Sequence, residues 1–389
     1  MRHGPPFALI LPLLIAYTAV KYRQIFLWRW VSSFLAALAT FSLMLGWLFL
    51  ARYQRASHEP HLWANLLLVL TWSGSIVLGA WAVFILFSLA YDILFWAGFL
   101  VQRIFVTELD QKRRQFFIRG IPAGIMGASG VMSAIGIGEA FTGPSIKTVD
   151  LPLPLLSPEL RGLKIVQISD LHMSPLINTK YVSRVVDMAL SLQPDIIAVT
   201  GDIADGTPAT LKAPLEILKN LKAPLGTYYV TGNHEYYWGV EAWLQAVKDM
   251  GFIPLINESR VLNFNGHPFL LGGVTDTSGG QYLDEHESDP IKAMGENRNI
   301  PTKILLAHRP ESCFEAQKVQ WNIQLSGHTH AGQFFPFSLL MPLSHKYYQG
   351  LNQHKDMMVY VNAGTGFWGP PQRFAIPSEI TLLKLGTPS

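Results

Sequence analysis

Five short apolar runs in this chain each end in residues of the kind that bind metals. Leu163 to Ile168 leads into Ser169-Asp170-Leu171-His172, and Ile196 to Val199 leads into Gly201-Asp202-Ile203-Ala204-Asp205-Gly206. Thr227 to Val230 leads into Gly232-Asn233-His234-Glu235. Ile304 to Leu306 is followed by Ala307-His308-Arg309, and Ile323 to Leu325 by Gly327-His328-Thr329-His330. Short apolar runs bounded by glycine and polar residues read as buried strands. Strands that all close in oxygen and imidazole donors on one side leave few folds open, and a layered α/β arrangement with one shared site satisfies them. Taken singly, each block is weak. Asp-x-His is commonly a turn, His-x-His a surface pair, and Asn-His after a strand a helix cap. Five together, in this order, are poorly explained by coincidence.

The intervening sequence supports alternating strands and helices. Tyr181, Val185, Met188 and Leu192 fall on one helical face, and Leu211 to Leu221 and Val240 to Met250 are further helices. Phe269 to Val274, Lys303 to Ala307, Met358 to Asn362 and Ile380 to Leu385 supply later strands. The polar stretch from Thr275 to Asn299, with His286 among carboxylates, reads as a solvated loop rather than a third metal site. Neither a Gly-x-x-x-x-Gly-Lys-Ser/Thr phosphate loop nor a Gly-x-Ser-x-Gly nucleophile elbow occurs. With a single cysteine, Cys313, there is no intrachain disulfide, so any metal rests on His, Asp and Asn.

Such a donor set suits phosphate-ester cleavage. Two divalent ions ~3.5–4 Å apart clamp the ester and bring water to hydroxide near neutral pH. Asp202, in the middle strand-end loop beside Gly201, is the natural bridging carboxylate. Asp170 and His172, like His328 and His330, are two apart and can turn toward one ion, while neutral Asn233 limits the negative charge.

The first third of the chain is of another kind. An apolar fraction of 49% against 15% charged in 389 residues is high for a wholly soluble protein, and the excess lies in residues 1–141. A crossing helix needs ~20 mostly apolar residues. Pro5 to Val20 and Val31 to Leu50 are the first two candidates. In the third run, from Leu62 to Phe105 around Asp92, one span over Leu66 to Leu89 is expected, followed by an interfacial helix with Trp96 and Phe99. Phe116 to Phe141, rich in small residues, is the fourth. Basic residues gather in the first loop (Lys21, Arg23, Arg29) and the third (Arg103, Lys112, Arg113, Arg114, Arg119), against Arg52 and Arg55 near His58 and Glu59 in the second. The first and third loops are therefore expected in the cytoplasm. Four spans then put the rest on the periplasmic or extracellular side of the cell (inner) membrane; three put it in the cytoplasm. Asp92, alone inside an apolar run, is thin support for an ion path. Residues 142–160 carry Pro144, Pro152, Pro154 and Pro158 and read as an extended linker to a domain over 161–389. A net charge of +3 gives no case for nucleic acid.

Asp170-x-His172, Gly201-Asp202-x-x-Asp205, Gly232-Asn233-His234-Glu235, His308 and Gly327-His328-x-His330 resemble the signature of the calcineurin-like metallophosphoesterases. The N-terminal spans and the stretch Asn362-Ala-Gly-Thr-Gly-Phe-Trp-Gly-Pro-Pro-Gln-Arg373 resemble a membrane-associated bacterial branch. The resemblance implies a four-layer α/β/β/α sandwich preceded by an α-helical transmembrane region. It also implies two divalent metal ions, one held by Asp170, His172, Asp202 and His330, the other by Asp202, Asn233, His308 and His328. Mn, Fe and Zn all suit this set. His234 is then the general acid, which Asp205 orients, and a metal-bridging hydroxide attacks phosphorus in line. Arg309 and Arg373 are candidates for binding substrate phosphate through their guanidinium forks. The expected substrate is a phosphate mono- or diester. Phe334 to Leu343, an apolar run directly after the last ligand block, points to a lipid-linked phosphate or diphosphate presented at the membrane, unless the run packs as a buried loop. A soluble nucleotide-type phosphodiester and a non-catalytic metal-binding scaffold are the alternatives.

Overall fold

A computed structural model of the protein describes residues 7–56, 64–105, 110–152 and 157–386. His58, Glu59 and Pro154 lie outside the described residues. Two compact units make up the chain, Met1–Ile135 and Gly136–Ser389.

The first unit is helical. Phe7–Phe26, Trp30–Ala56 and Ala64–Phe105 are helices, and from Gln111 the chain runs through a π-helical stretch at Phe116–Gly120 into Ile121–Thr142. Among the described residues, Trp72–Gly98 and Gln111–Thr142 are long and apolar enough to cross a bilayer. The third run differs from expectation: it is one unbroken helix of 42 residues, with Trp96 in the same rod as Leu66. At ~1.5 Å per residue it is about 63 Å long, twice a hydrocarbon core. It carries no proline, so nothing interrupts the hydrogen-bond ladder. Lys21 is also not a loop charge. It is buried within Phe7–Phe26, with its Nζ 2.6 Å from Asp92 Oδ1, while the Tyr17 hydroxyl donates to Asp92 Oδ2 at 2.7 Å. An acid paired in this way ties two helices together. It also leaves Arg23 and Arg29 as the basic residues near the first turn.

The second unit contains two six-stranded sheets. Its strands are β1 (Ser145–Pro152), β2 (Lys164–Ile168), β3 (Ile196–Val199), β4 (Thr227–Tyr229), β5 (Ile253–Pro254), β6 (Glu258–Phe264), β7 (His267–Gly273), β8 (Lys303–Leu306), β9 (Ile323–Ser326), β10 (Gly350–His354), β11 (Met357–Val361) and β12 (Glu379–Gly386). One sheet has the order β1-β12-β2-β3-β4-β5, the other β10-β11-β9-β8-β7-β6. β2 to β5 are parallel, as are β11, β9, β8 and β7. Leu163, Ile165, Ile196 and Val230 of the first sheet pack with Leu271, Ile304, Leu306 and Leu325 of the second in one core. Leu270, Leu305 and Val359, on the opposite face of the second sheet, pack with Ala293, Met294, Cys313 and Ala316 of the helical turns that cover it. The alternation along β7 and β8 is what serves two cores from single strands. On the first sheet, Thr179–Ser191 is capped by Asn178, whose Oδ1 accepts from the Lys180 and Tyr181 amides, and buries Val182, Val185 and Val186.

The stretch expected to be a linker is partly sheet. β1 pairs with β12 in parallel register from Ser145–Glu379 to Pro152–Gly386, because an extended prolyl segment with no partner of its own can still edge a sheet. The loop from Thr275 to Asn299 is not simply solvated either. His286 is buried with its Nδ1 2.9 Å from the Tyr236 hydroxyl, and Asp276 is fully buried. Among the described residues, no metal-ligand group includes His286.

Candidate metal centre

Each of β2, β3, β4, β8 and β9 runs parallel within its sheet, and its C-terminal end carries one ligand block. Crevices at such strand ends are where α/β sheets bind ligands. To bring the side chains back over the sheet edge, the backbone turns sharply: Asp170, His172, Asp202, His328 and His330 all have left-handed φ, between 49° and 71°. Non-glycine residues adopt this region at a cost of about 1–3 kcal/mol each, and such strain concentrates at functional sites. Gly201, at φ 86°, is required for closeness as well. A Cβ there would stand 2.6 Å from the Gly232 amide nitrogen and 2.8 Å from His308 Nδ1.

Three groups of donors converge: Asp170, His172 and His330; Asp202, His308 and His328; and His172, Asp205 and His234. His172 Nε2 and His330 Nε2 are 3.1 Å apart, and His330 Nε2 is 3.4 Å from Asp170 Oδ1. His308 Nε2 is 3.2 Å from Asp202 Oδ2 and 3.2 Å from His328 Nδ1. His172 Nε2 lies 3.9 Å from the same Asp202 oxygen, which puts this carboxylate between the first two groups. Asn233 is buried beside them, and its Oδ1 has no hydrogen-bond partner. An orphan buried acceptor is costly unless a cation or water meets it. That atom, with imidazole nitrogens facing one another and carboxylates, is a donor set that fits divalent ions.

The outer contacts set ring orientation. His308 Nδ1 is 2.8 Å from the Thr200 carbonyl, to which it donates, leaving Nε2 as the donor atom toward Asp202. Burial, with the neighbouring Arg373, holds His330 well below the usual imidazole range; burial and His308 do the same for His328. Neutral imidazole is the form that binds metal. At His234 burial opposes the charge, but Asp202 and Asp205 outweigh it and lift its pKa to about 9. Its Nδ1 is 2.5 Å from Asp205 Oδ1, and its Nε2 is 3.8 Å from Asp202 Oδ2, directed at the centre. Asp205 Oδ2 lies 3.3 Å from His172 Nδ1, so one carboxylate touches two imidazoles.

Of the two arginines, Arg309 is at the rim. It is partly exposed, and its Nε donates to the buried Asp276 Oδ2 at 2.9 Å. Arg373 is placed differently. It is fully buried, its Nε donates to the Gly366 carbonyl at 3.0 Å and its Nη1 to the Ala363 carbonyl at 2.7 Å, and Nη2 reaches His330 Nδ1 at 3.1 Å. In this arrangement the guanidinium is committed to carbonyls behind a ligand ring rather than presented as a free fork.

Two further residues matter that the sequence reading did not single out. Glu235 is buried and accepts from the amides of Gly232 (2.7 Å), Ile203 (2.8 Å) and Asp202 (3.1 Å), which staples the β3 and β4 loops together. The signal was its place in the Asn233 block. Asp276 follows β7 as the other blocks follow their strands, and that same rule would have found it.

A sequence profile described as calcineurin-like phosphoesterase matches residues 163–332. A protein of Danio rerio named transmembrane protein with metallophosphoesterase domain is 32% identical over 336 residues, covering 84% of this chain and 74% of that one. A Bos taurus protein of the same name is 33% identical over 373 residues, covering 92% and 80%. An uncharacterized metallophosphoesterase of Helicobacter pylori is 37% identical over 254 residues, covering 64% and 66%.

Proposed function

The chain belongs to the calcineurin-like metallophosphoesterases, metal-dependent phosphoric ester hydrolases, and from that membership we propose that residues 161–389 cleave a phosphate mono- or diester at the Asp170–His330 centre. The observation that carries this reading is the orphan Asn233 Oδ1 together with two imidazole–carboxylate groups, Asp202 of one lying 3.9 Å from His172 of the other. Asp170, His172, Asp202 and His330 would hold one ion, and Asp202, Asn233, His308 and His328 a second, with Mn, Fe or Zn suited to either. When bound, two such ions clamp a phosphate and activate water near neutral pH. The protein's own part is proton delivery and charge. His234, fixed through Nδ1 by Asp205, presents a proton on Nε2 to the leaving-group oxygen. Arg309, held at the rim by Asp276, meets a non-bridging phosphate oxygen.

The substrate proposed is a lipid-linked phosphate or diphosphate, supported by the apolar segment that follows His330. The half-exposed rings of Tyr237 and Trp368, 5.1 and 5.7 Å from the His234 ring, favour a second reading, a nucleotide-type phosphodiester with a planar leaving group. We further propose that residues 1–141 anchor the domain in the cell membrane, on the periplasmic or extracellular side, on the strength of the basic residues around Lys112–Arg119. The purified chain supplied with Mn²⁺, Fe²⁺ or Zn²⁺ should hydrolyse members of a panel of mono- and diesters, lipids included; Asp202→Ala should abolish it and His234→Ala should lower kcat on the order of 10²–10⁴-fold. No turnover of anything on the panel would sink the enzyme reading.

A further inference from the structure

The segment from Phe337 to Ser344, directly beyond the last ligand loop, presents a bare aliphatic surface. It forms two short helical turns, Phe337–Leu340 and Met341–Ser344. Its inner side is anchored. Phe334 is buried with its ring 5.0 Å from that of Phe337, and Ser338 and Met341 crowd so closely on Gly332, at φ 80°, that a Cβ there would lie 2.8 Å from Met341 Cγ. Its outer side is not. Leu339 is 65%, Leu340 42% and Leu343 83% exposed, and Leu343 is the most exposed large apolar residue described in the chain. Scattered exposed leucines are ordinary; three on eight residues, rigidly based, are a patch that asks for a partner.

We infer that this surface inserts into the headgroup–acyl boundary of a lipid bilayer and sets the metal centre against it. From Ala331 to Ser344 there is no charged residue, whereas exposed Lys346 follows at once, the order expected of an interfacial anchor on an anionic surface. The same chain carries Trp72–Gly98 and Gln111–Thr142, which have the length and apolarity to cross a bilayer. The surface is also mechanically continuous with the chemistry. Gln333, between His330 and the patch, donates through Nε2 to the Trp368 and Pro370 carbonyls at 2.9 Å and accepts from the Trp368 amide at 2.8 Å. The Trp368 ring in turn stands edge-on to His234. An ester whose alcohol is a lipid would thus meet the proton donor without leaving the interface, a consequence that rests on the phosphoesterase reading.

The test uses the full chain reconstituted in phosphatidylcholine–phosphatidylglycerol vesicles. Leu343→Cys and, as reference, Lys248→Cys are each labelled with an environment-sensitive fluorophore; Cys313 is fully buried and its thiol is pushed up to about 12, so it does not compete. Acyl-chain nitroxide lipids should quench the label at 343 but not at 248, and aqueous iodide should do the reverse. Iodide quenching at 343, or shielding from both quenchers as under a protein partner, would overturn the inference. As a second arm, Leu339→Asp/Leu343→Asp should lower turnover of a vesicle-borne phosphate ester on the order of tenfold, from the lost transfer of leucine side chains, and leave a soluble ester unaffected. Equal loss on both substrates would also overturn it. Quenching needs no turnover, so lipid contact without hydrolysis would defeat the enzyme reading alone.

Discussion

At the scale of single residues, Asp205 does more than the sequence suggested. One oxygen meets His234 Nδ1 and the other lies 3.3 Å from His172 Nδ1, a buried ring nitrogen with no hydrogen-bond partner, so the carboxylate that holds the proton donor also stands against a candidate ligand. Asp205→Asn should therefore lower kcat on the order of 10²-fold and weaken metal affinity roughly tenfold or more. His234→Ala should lower kcat alone, and metal analysis of the purified variants separates the two. The sign of the titration follows from the same pair. Because its pKa is raised, His234 in the metal-free protein keeps its proton until the pH passes about 9. Removing the Asp205 charge must bring that titration down, which histidine NMR would read. Arg373 makes the complementary case. If it positions His330, Arg373→Lys should reduce metal content with little change in KM; a raised KM at full metal occupancy would mark it instead as a phosphate binder. Nothing local in the sequence separates Arg309 from Arg373, because which arginine is buried is decided by what packs over it.

At the scale of elements, the ligand strands were legible because they are parallel and buried on both faces, which leaves continuous apolar runs. β6 and β10 were not: both are edge strands with alternating exposure, and β5 is two residues long. β1 was hidden by the prolines that flank it, Pro144 just before and Pro152 at its end, and the third helix by an aspartate whose partner, Lys21, stands far off in sequence. The strand-to-ligand turns also have a measurable signature. Gly201→Ala would place a methyl against Gly232 and His308 in a left-handed backbone, and should cost about 1–3 kcal/mol. The observable is a lower thermal midpoint together with loss of bound metal; a variant that folds and loads normally would show that the turn relaxes.

At the scale of the whole molecule, the candidate ligands come from both sheets: Asp170, His172, Asp202 and Asn233 from the first, His308, His328 and His330 from the second. Ions held between them bind the folded state alone. Chelation should thus lower the melting temperature of the second unit by roughly 5–10 °C if metal is present at ~100 times its Kd, and calorimetry of the full chain with and without chelator would measure it. The placement of β12 bears on how such a molecule is made. It lies between β1 and β2, and Ser145 finds its neighbour only in Glu379. Synthesis runs from the amino terminus, so β1 and the ligand-bearing loops are all made before the strand that joins β1 to the sheet. The first sheet closes only when β12 emerges and slides between strands made long before it.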